Sequence, residues 1–377
     1  MRFPGFSGEW ERRRIGDIGK FFSGGTPSSS RKDFYGGEIP FIRSGEIHSD
    51  KTELFLTQEG YMNSSAKMVE RGDILLALYG ANSGDISISQ ICGAINQAIL
   101  CIRTSVAPVF FKSVWEKHAQ KILNTYLQGG QGNLSADIVK KITISIPSRT
   151  EQTKIAALFS LLDERISVQN KIIEHYRSLI STIIQYSQSN AQRRVFLRDV
   201  LVEVNDLNQS GYDVCSVSVS KGVVNQVEYL GRSFAAKETR HYHVVHEGNI
   251  VYTKSPTGDF PYGIIKQSWI KHPVAVSPLY GVYRPMSFAI GYYLHFYFCS
   301  PQNTQNYLRK LIQKGAKNTI NITNQHFLDN SIYLPEDEQL PKIISAIQCL
   351  SCRIDTEEAF LLRLVSQKNC LLATMII

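Results

Sequence analysis

Apolar side chains recur at helical spacing in two long segments of the chain, residues 148–190 and 336–377. Steps of three, four or seven residues place such side chains on one face of a helix. A proline precedes each stripe, at Pro147 and Pro335, where a helix can begin. The pattern predicts one long helix per segment. The stripe comprises Ile155, Leu158, Leu162, Ile166, Ile173, Tyr176, Ile180 and Ile183 in the first helix, and Ile343, Ile347, Leu350, Ile354, Leu361 and Val365 in the second.

Each of these helices needs a surface against which to bury its apolar face. If the two pair with each other in antiparallel orientation, both stripes are buried as in a coiled coil. The alternative is that each helix packs on its own neighbouring domain. We predict the antiparallel coiled coil and leave the alternative open.

The segments that precede the two helices are typical of strand-rich domains. Short alternating apolar runs, punctuated by Gly, Asn, Ser and Pro, indicate strands. Examples are DILLALY (73–79), ITISIP (142–147), VCSVSVS (214–220) and NIVYTK (249–254). We predict an α+β fold with two strand-rich α/β domains, residues 1–147 and 191–335, separated by two long spacer helices, residues 148–190 and 336–377.

A weak internal repeat supports this order of domain, helix, second domain and second helix. The run IPSRTEQTKIAALFSLLDERI (146–166) is echoed by LPEDEQLPKIISAIQCLSCRI (334–354), with one extra residue before Lys342. RGDILLALYGANSGDI (71–86) is echoed by EGNIVYTKSPTGDFPYGII (247–265), so that Gly84-Asp85 matches Gly258-Asp259. The segment GGTPS (24–28) has no counterpart, so we expect the two domains to recognise different features.

The net charge of +8 lies in the two predicted domains and not in the spacers. Residues 1–147 carry an excess of three positive charges and residues 191–335 an excess of six, whereas residues 336–377 are net negative. Basic domains favour a polyanionic partner such as nucleic acid. The seven scattered cysteines indicate neither a disulfide framework nor a zinc site. With no signal peptide or membrane span expected, we predict a cytoplasmic protein.

An ordered set of motifs resembles one protein family. RFPGFSGEW, IGDIGKFFSGGTPSS, IPFIRSGEI, RGDILLALYGANSGD and GNLSADIVKKITISIPSRTEQTKIAALFSLLDERI follow one another in the first half. Together with the repeat, they are similar to the specificity subunits of type I restriction-modification systems. The resemblance spans nearly the whole chain. It implies two target-recognition domains, each reading one half of an asymmetric split DNA site, with the helices setting the gap between the halves.

The resemblance also implies partners and cofactors. Two methyltransferase subunits and two restriction-translocase subunits are the expected partners, together with double-stranded DNA. We expect no cofactor in this chain, since S-adenosylmethionine, Mg²⁺ and ATP belong to those partners. The chain itself is predicted not to be an enzyme, because it has neither the Pro-Pro-aromatic segment of adenine methyltransferases nor a phosphate-binding loop.

Two local patterns are weaker signs of chemistry. FFSGGTP (21–27) has the glycines of a cofactor loop, but it lacks the preceding apolar strand and the following helix, and we interpret it as a turn. His241, His243 and His246 have spacing compatible with metal ligands, yet no further ligand accompanies them. We predict no metal site and interpret these histidines as exposed or phosphate-contacting.

Loops that combine cations with amide or hydroxyl side chains are the candidates for DNA contact, because cations displace counterions and polar side chains read base edges. Ordinary turns and solvated surface are the alternative interpretation. The candidates are Arg31, Lys32, Arg43, Ser44, Tyr79, Asn82, Ser83, Gln128, Gln131 and Asn133 in the first domain, and Lys221, Arg240, Lys254, Ser255, Thr257, Lys266, Lys314, Lys317, Asn318 and Asn321 in the second.

Two other functions remain open from the sequence. One is a stand-alone DNA-modifying or DNA-cleaving enzyme with a weakly marked site in residues 241–259. The other is a DNA-binding adaptor without a methyltransferase partner, which would keep the basic domains but would not need two matched helices.

Overall fold

The computed structural model describes residues 2–3, 5–127, 133–230, 238–314 and 320–376. The chain divides into two compact units. Unit 1 comprises Met1–Asn170 and Ala359–Ile377, and unit 2 comprises Lys171–Glu358. Each unit therefore contains one strand-rich segment together with a part of each long helix.

Unit 1 is built around a four-stranded sheet covered by a helix. Its strands are β1 (Glu11–Arg14), β2 (Gly19–Ser23), β3 (Tyr35–Ile42), β4 (Phe55–Leu56), β5 (Lys67–Val69), β6 (Ile74–Ala77), β7 (Ile86–Ile88), β8 (Gly93–Ile95), β9 (Ile99–Thr104) and β10 (Thr143–Ile146). Its helices are α1 (Gln58–Met62), α2 (Pro108–Leu127), α3 (Ala136–Lys141) and the beginning of α4 (Arg149–Asn190). Single 3-10 turns occupy Ile15–Asp17, Lys32–Phe34 and Ser44–Glu46.

Two sheets and a ribbon organise these strands. The antiparallel sheet β2-β9-β6-β7 carries helix α2 on one face, where Phe110, Phe111 and Trp115 are buried. The Trp115 indole nitrogen donates to the carbonyl oxygen of Gly84 at 2.8 Å. A second sheet has the order β4-β3-β8-β5, and β1 pairs with β10.

Unit 2 repeats this plan. Its strands are β11 (Arg193–Phe196), β12 (Leu201–Glu203), β13 (Cys215–Ser218), β14 (Gly222–Asn225), β15 (His243–Val245), β16 (Ile250–Tyr252), β17 (Ile265–Gln267), β18 (Val274–Val276), β19 (Gly281–Pro285), β20 (Gln313–Lys314), β21 (Ile320–Asn321) and β22 (Ser331–Leu334). Its helices are the second half of α4, α5 (Gln226–Leu230), α6 (Phe288–Phe298), α7 (Pro301–Arg309), α8 (Asn324–Phe327) and the first half of α9 (Leu340–Met375). A 3-10 turn occupies Leu197–Asp199.

The internal repeat has a direct structural counterpart. The sheet β12-β19-β16-β17 has the same strand order as β2-β9-β6-β7, and the ribbon β11-β22 matches β1-β10. Ser135 and Thr323 cap α3 and α8 by accepting a backbone N–H, from Ile138 at 3.2 Å and from His326 at 3.1 Å. The predicted α+β class with two strand-rich domains and long helices is thereby confirmed.

Within each unit, the parts of α4 and α9 run side by side in opposite directions. In unit 1, Asp163 of α4 binds Lys368 of α9 at 2.7 Å, and the guanidinium of Arg165 lies 6.0 Å from the centre of the Phe360 ring. In unit 2, Arg177 of α4 binds Glu358 of α9 at 2.5 Å. The contacts therefore follow the antiparallel arrangement.

The stripe residues are mostly buried or half-buried, and several of them belong to the hydrophobic cores of the two units, so that each helix also packs on its own domain. Ile155, Leu162, Ile173, Ile180 and Ile347 are buried, and the other predicted positions are half-buried. Val365 is the exception, because 37% of its surface is exposed while its neighbour Leu364 is buried. The prediction for Val365 was wrong by one position, since the turn of α9 directs Leu364 inward instead.

An ion network joins three helices of unit 1. Lys112 of α2 lies 2.8 Å from Glu116 and 2.7 Å from Asp163, and Lys368 lies 2.8 Å from Glu116 and 2.7 Å from Asp163. Both lysine side chains are only 13% exposed. Because the charges alternate and are largely shielded from water, each carboxylate compensates two ammonium groups.

We expect Asp163→Ala to lower the free energy of unfolding of unit 1 by about 2 kcal/mol, since two poorly solvated ammonium groups each lose a carboxylate. Asp137→Ala is the matched control, because Asp137 is 82% exposed and lies 3.7 Å from Lys140; its effect should stay below about 0.5 kcal/mol. Urea denaturation measures both. Equal effects of the two substitutions would contradict the network's role.

Within the residues described, no helix has both the length and the apolar character that a membrane crossing requires.

Candidate nucleic-acid interface

Two hairpin loops occupy the same position in the two units. The first, residues 78–85, connects β6 to β7, and the second, residues 253–264, connects β16 to β17. Each contains glycines with positive φ, Gly80 and Gly84 in the first and Gly258 and Gly263 in the second. Such glycines let a short loop turn sharply and expose its polar residues. We call them the unit 1 loop and the unit 2 loop.

Three separate candidate segments meet at the unit 1 loop. A Cβ placed on Gly45 would lie 3.7 Å from the amide nitrogen of Asn82, so the turn at Ser44 borders the loop. The backbone N–H of Leu134 donates to the carbonyl oxygen of Leu78 at 3.0 Å, which brings Asn133 beside Tyr79. The hydroxyl of Ser83 donates to Leu78 at 2.9 Å and stabilises the turn. Arg43, Ser44, Tyr79, Asn82, Ser83 and Asn133 therefore share one region of unit 1.

Arg43 is held by two carboxylates. Its guanidinium donates to Glu46 at 3.0 Å and to Glu53 at 2.7 Å. Glu46 also accepts the backbone N–H groups of Arg43 and Glu53, each at 3.1 Å. Burial by itself raises the pKa of Glu46, but the hydrogen bonds from Arg43 and from the two backbone groups outweigh it and lower the pKa to about 2. The carboxylate thus fixes Arg43 and the turn that carries Ser44.

This depressed pKa predicts an acid-dependent loss of stability. Glu46 ordinarily titrates near 4.5, so its stabilising effect is complete above that pH and declines as the pH falls towards about 2. We expect Glu46→Gln to be less stable than the wild type at pH 7, and the difference to shrink across that window. Urea midpoints at several pH values measure it, with the exposed Glu53→Gln as control. A pH-independent difference would contradict the assignment.

A polar cluster that the sequence did not predict lies beside the unit 1 loop. The His48 imidazole lies 2.9 Å from both carboxylate oxygens of Asp85, and the amide of Gln90 donates to the carbonyl oxygen of His48 at 2.8 Å. All are at least partly exposed. Asp85 belongs to the repeated Gly-Asp pair, which was the available signal. His48 and Gln90 had none, because their proximity depends on tertiary structure.

Arg31 and Lys32 lie on a separate 3-10 turn of unit 1. The guanidinium of Arg31 binds Asp33 at 2.6 Å and lies 4.3 Å from the centre of the Phe34 ring. Lys32 is exposed. The guanidinium of Arg31 also lies 3.6 Å from Glu59 of α1. The role of Arg31 as a base reader stays a prediction.

The unit 2 loop carries three of the predicted residues. Ser255 and Thr257 are exposed, and Thr257 forms a short bridge with Phe260. Lys254 is half-buried at the base of the loop, where burial lowers its pKa although Glu203 acts in the opposite direction. Gln305 of α7 supports the loop by donating to the carbonyl oxygen of Asp259 at 3.1 Å.

Other unit 2 candidates lie elsewhere. Lys221 is exposed in the turn between β13 and β14, with its ammonium 5.8 Å from the centre of the Tyr229 ring. Arg240 is 76% exposed and lies 3.7 Å from Glu238. Gln128, Gln131, Lys317 and Asn318 lie outside the described residues. Lys314 and Asn321 are on the paired strands β20 and β21, of which the structure describes the backbone alone.

Lys266 corrects one prediction. It was expected as an exposed DNA contact, but it is only 4% exposed, and its ammonium lies 3.0 Å from the sulfur of Cys299. The reason is that β17 is covered on both faces, since helix α6 packs on it. Lys266 lines a partly open cavity of unit 2, where its burial keeps it away from a DNA groove.

Exposed arginines mark equivalent strands in both units. Arg12, Arg13 and Arg14 lie on β1, and Arg193 and Arg194 lie on β11. Each strand pairs with the strand that precedes a long helix, so the two basic strands are related by the repeat. The runs ERRR (11–14) and RR (193–194) are the sequence signals of these two strands, and they were not among the predicted DNA contacts. Guanidinium groups on an exposed strand suit phosphate contact.

The histidine-rich segment does not form a site of its own. The ring of His243 lies 3.2 Å from the carbonyl oxygen of Tyr280, and His241 packs edge-on against Tyr242. Cys349 and Cys352 have C-x-x-C spacing on α9, where both are exposed and free. Within the described parts of the chain, no group of three or more His, Cys, Asp or Glu side chains is placed to hold a metal ion.

Comparisons with known proteins point to one family. Residues 7–175 match the model of the type I restriction modification DNA specificity domain. The MjaIX specificity subunit of Methanocaldococcus jannaschii is 28% identical over 180 residues, which are 44% of this chain and 41% of the relative. The HindI specificity subunit of Haemophilus influenzae is 27% identical over 191 residues, 45% of this chain and 40% of the relative. The EcoR124I/EcoR124II specificity subunit of Escherichia coli is 24% identical over 195 residues, 46% of this chain and 48% of the relative.

The chain thus spans less than half the length of these relatives, whereas structural likeness covers nearly all of it. The S subunit of a type I restriction-modification system from M. genitalium superposes with a TM-score of 0.57 at 13% identity, covering 100% of this chain and 99% of the other. A second structure, from work on assembly of the type I R-M system, has a TM-score of 0.50 at 12% identity, with 97% of both chains covered. These likenesses show the fold. The resemblance inferred from the motifs is confirmed.

Proposed function

We propose that this chain, which is similar to type I specificity subunits, is the DNA sequence-specificity subunit of a type I restriction-modification complex. Each strand-rich domain reads one half of an asymmetric bipartite site. The observation that carries this proposal is the duplicated arrangement of the unit 1 and unit 2 loops. Both follow the same strand of matching four-stranded sheets, yet they expose different side chains. Two different readers on one repeated scaffold suit a site with two different halves.

The contacts available to each loop fit base reading. Asn82 presents an amide, which can pair with an adenine edge, and Ser255 and Thr257 present hydroxyls, which accept or donate to several bases. The arginines of β1 and β11 would contact phosphates, which position a protein on DNA without reading its sequence. We assign specificity to the loops and orientation to the basic strands.

The chemistry belongs to partners in this proposal. The specificity-subunit family serves in recognition, and we propose that this chain binds no cofactor of its own. Two methyltransferase subunits would bring S-adenosylmethionine, and two restriction-translocase subunits would bring ATP and Mg²⁺. The duplicated architecture suits two copies of one partner, because equivalent surfaces occur twice in a repeated chain. The same recognition would direct either adenine methylation or cleavage.

Base-resolution mapping of N6-methyladenine tests the proposal. The chain is expressed with the methyltransferase subunit of its own system in a host free of DNA methylation, and the methyltransferase alone serves as control. We expect methylation at one split motif only when this chain is present. A folded, co-purifying pair that methylates no split motif would refute the specificity role. A DNA-binding adaptor or a separate enzyme would then have to account for the fold.

A further inference from the structure

Unit 2 contains a cavity that is separate from the unit 2 loop. It has a volume of about 840 Å³, within the range of small-molecule sites. Strand β17 and helix α6 form its floor, the turn between β13 and β14 and the beginning of α7 form one rim, and the unit 2 parts of α4 and α9 form the other. All of these elements belong to unit 2.

The equivalent place in unit 1 is closed by the ion network. Counted from the first residue of α2 and of α6, Lys112 and Glu116 correspond to Tyr292 and Phe296. In the register that matches Lys154 with Lys342, Asp163 corresponds to Ser351 and Lys368 to Ile180. Four charged groups of unit 1 are thus replaced by neutral ones, and Tyr292 and Ser351 meet only through a 3.4 Å contact between their hydroxyls. The opening is a specific departure of unit 2 from the repeated plan.

The floor of the cavity carries a buried cation without an anion. Lys266 is 4% exposed, and its ammonium contacts the sulfur of Cys299 at 3.0 Å. Among the residues that the structure describes, no carboxylate is in salt-bridge contact with it. A buried ammonium requires a counter-charge or hydrogen-bond acceptors, which a thiol supplies poorly. An anion in the cavity would provide both.

His295 beside Lys266 does not compete for that anion. Its Nδ1 accepts the backbone N–H of Gln267 at 3.0 Å, so the ring is already used as an acceptor. Burial, assisted by the charge of Lys266, lowers the pKa of His295 to about 3, which keeps the imidazole neutral. The positive charge of the floor is therefore concentrated on the ammonium of Lys266.

Further features supply a place for a planar ring and for a phosphate. Trp269 is 38% exposed and is held edge-on by Tyr292 and His295, with ring centres 5.3 and 5.2 Å away.

The rim of the cavity carries groups that favour an anion. Ser300 caps the beginning of α7 at the rim, where N–H groups favour anions. Lys221 adds a cation on the same rim. Of the two rim carboxylates, Glu358 is neutralised by Arg177, and Asp355 can accept hydroxyl groups.

We propose that this cavity binds a nucleoside monophosphate, with the phosphate at Lys266 and the base against Trp269. The site is separate from the two DNA-reading loops and does not depend on the proposed function. Its ligand would stabilise unit 2 by binding the folded state. The combination of one buried cation, one partly exposed indole and a cavity of this size is what selects this ligand class over a simple inorganic anion.

Isothermal titration of the full chain with adenosine 5′-monophosphate tests the proposal, with adenosine and inorganic phosphate as separate probes. We expect binding of the nucleotide in the micromolar to millimolar range and weaker binding of either fragment. Lys266→Met, which keeps the side-chain volume, should weaken nucleotide binding at least tenfold. Lys271→Met is the matched control, because it removes an exposed lysine of unit 2 that does not line the cavity.

Two further measurements keep the result decisive if Lys266→Met folds poorly. Ser351→Phe should narrow the cavity beside Tyr292 and weaken binding, and nucleotide should slow maleimide labelling of Cys299 without protecting the exposed Cys349. Inorganic phosphate binding as tightly as the nucleotide would overturn the role of Trp269. No binding of any probe at millimolar concentration, or full binding by Ser351→Phe, would overturn the site. Methylation that depends on this chain is measured separately. The outcome of the nucleotide titrations therefore does not test the proposed function.

Discussion

Replacing Gly24 with alanine should destabilise unit 1. A Cβ at this position would overlap the carbonyl oxygen of Ile95, at the end of strand β8. The backbone N–H of the next residue, Gly25, donates to the same oxygen at 3.1 Å, so the two chain segments cannot separate without losing that bond. Because backbone and not a flexible side chain lies in the way, we expect a loss of about 3 kcal/mol in the free energy of unfolding.

Urea denaturation combined with peptide-resolved hydrogen exchange measures this effect. Exchange should rise in β8 and in β3, which pairs with it, while unit 2 peptides stay unchanged. Gly8→Ala is the matched control, since nothing lies within 4 Å of its Cβ position; it should change stability by less than about 0.5 kcal/mol. Similar stability of the two variants would mean that the segment can shift without cost.

Close contacts of this kind explain the Gly-Gly pair at residues 24 and 25, whose sequence resembled a cofactor loop. The two glycines allow close approach of chain segments, since a Cβ on Gly25 would overlap the hydroxyl oxygen of Ser65. The sequence indicated a turn but contained no sign of the two segments it approaches. Glycines that serve packing and glycines that serve a phosphate have the same local pattern, and tertiary contacts distinguish them.

The helices were the most predictable part of the fold, because their spacing is a local property of the sequence. Even so, Phe159, Ile184 and Ile344 are buried outside the predicted stripes. Gln169 is buried as well, although its polarity excluded it from an apolar pattern. A stripe read at fixed steps drifts around a long helix, and the partner helix decides which of two neighbouring residues faces inward.

The candidate site was less predictable, since it depends on contacts between distant segments. Asn82 and Ser44 were selected separately, and only the fold brings Asn82 next to Gly45. Lys266 shows the opposite error. A lysine in a run of polar residues suggests surface, yet Lys266, Gln267 and Ser268 are all buried, because β17 lies under α6. Alternation identifies a strand, but it does not reveal a second covered face.

If each loop reads one half of a bipartite DNA site, single substitutions in the two loops should affect different halves. Asn82→Ala should relax or abolish the base requirement in one half of the methylated motif and leave the other half intact. Thr257→Ala should do the reverse. Loss of one base contact is worth about 1–3 kcal/mol, so methylation of the cognate motif should fall roughly 5- to 150-fold in each variant.

Motif mapping by N6-methyladenine sequencing separates this outcome from a general loss of binding. Gln120→Ala and Gln302→Ala are matched controls, because both glutamines are exposed on helices, one in each unit, and neither belongs to a loop. They should leave both halves unchanged. If Asn82→Ala and Thr257→Ala reduced methylation at every sequence equally, the loops would contact the backbone of DNA. Base reading would then have to be sought at His48 and Gln90 beside the unit 1 loop, or at Arg240 elsewhere in unit 2. The two loops follow equivalent strands of matching sheets. If each variant changed only one half of the motif, the repeat in the chain would correspond directly to the two halves of the DNA site.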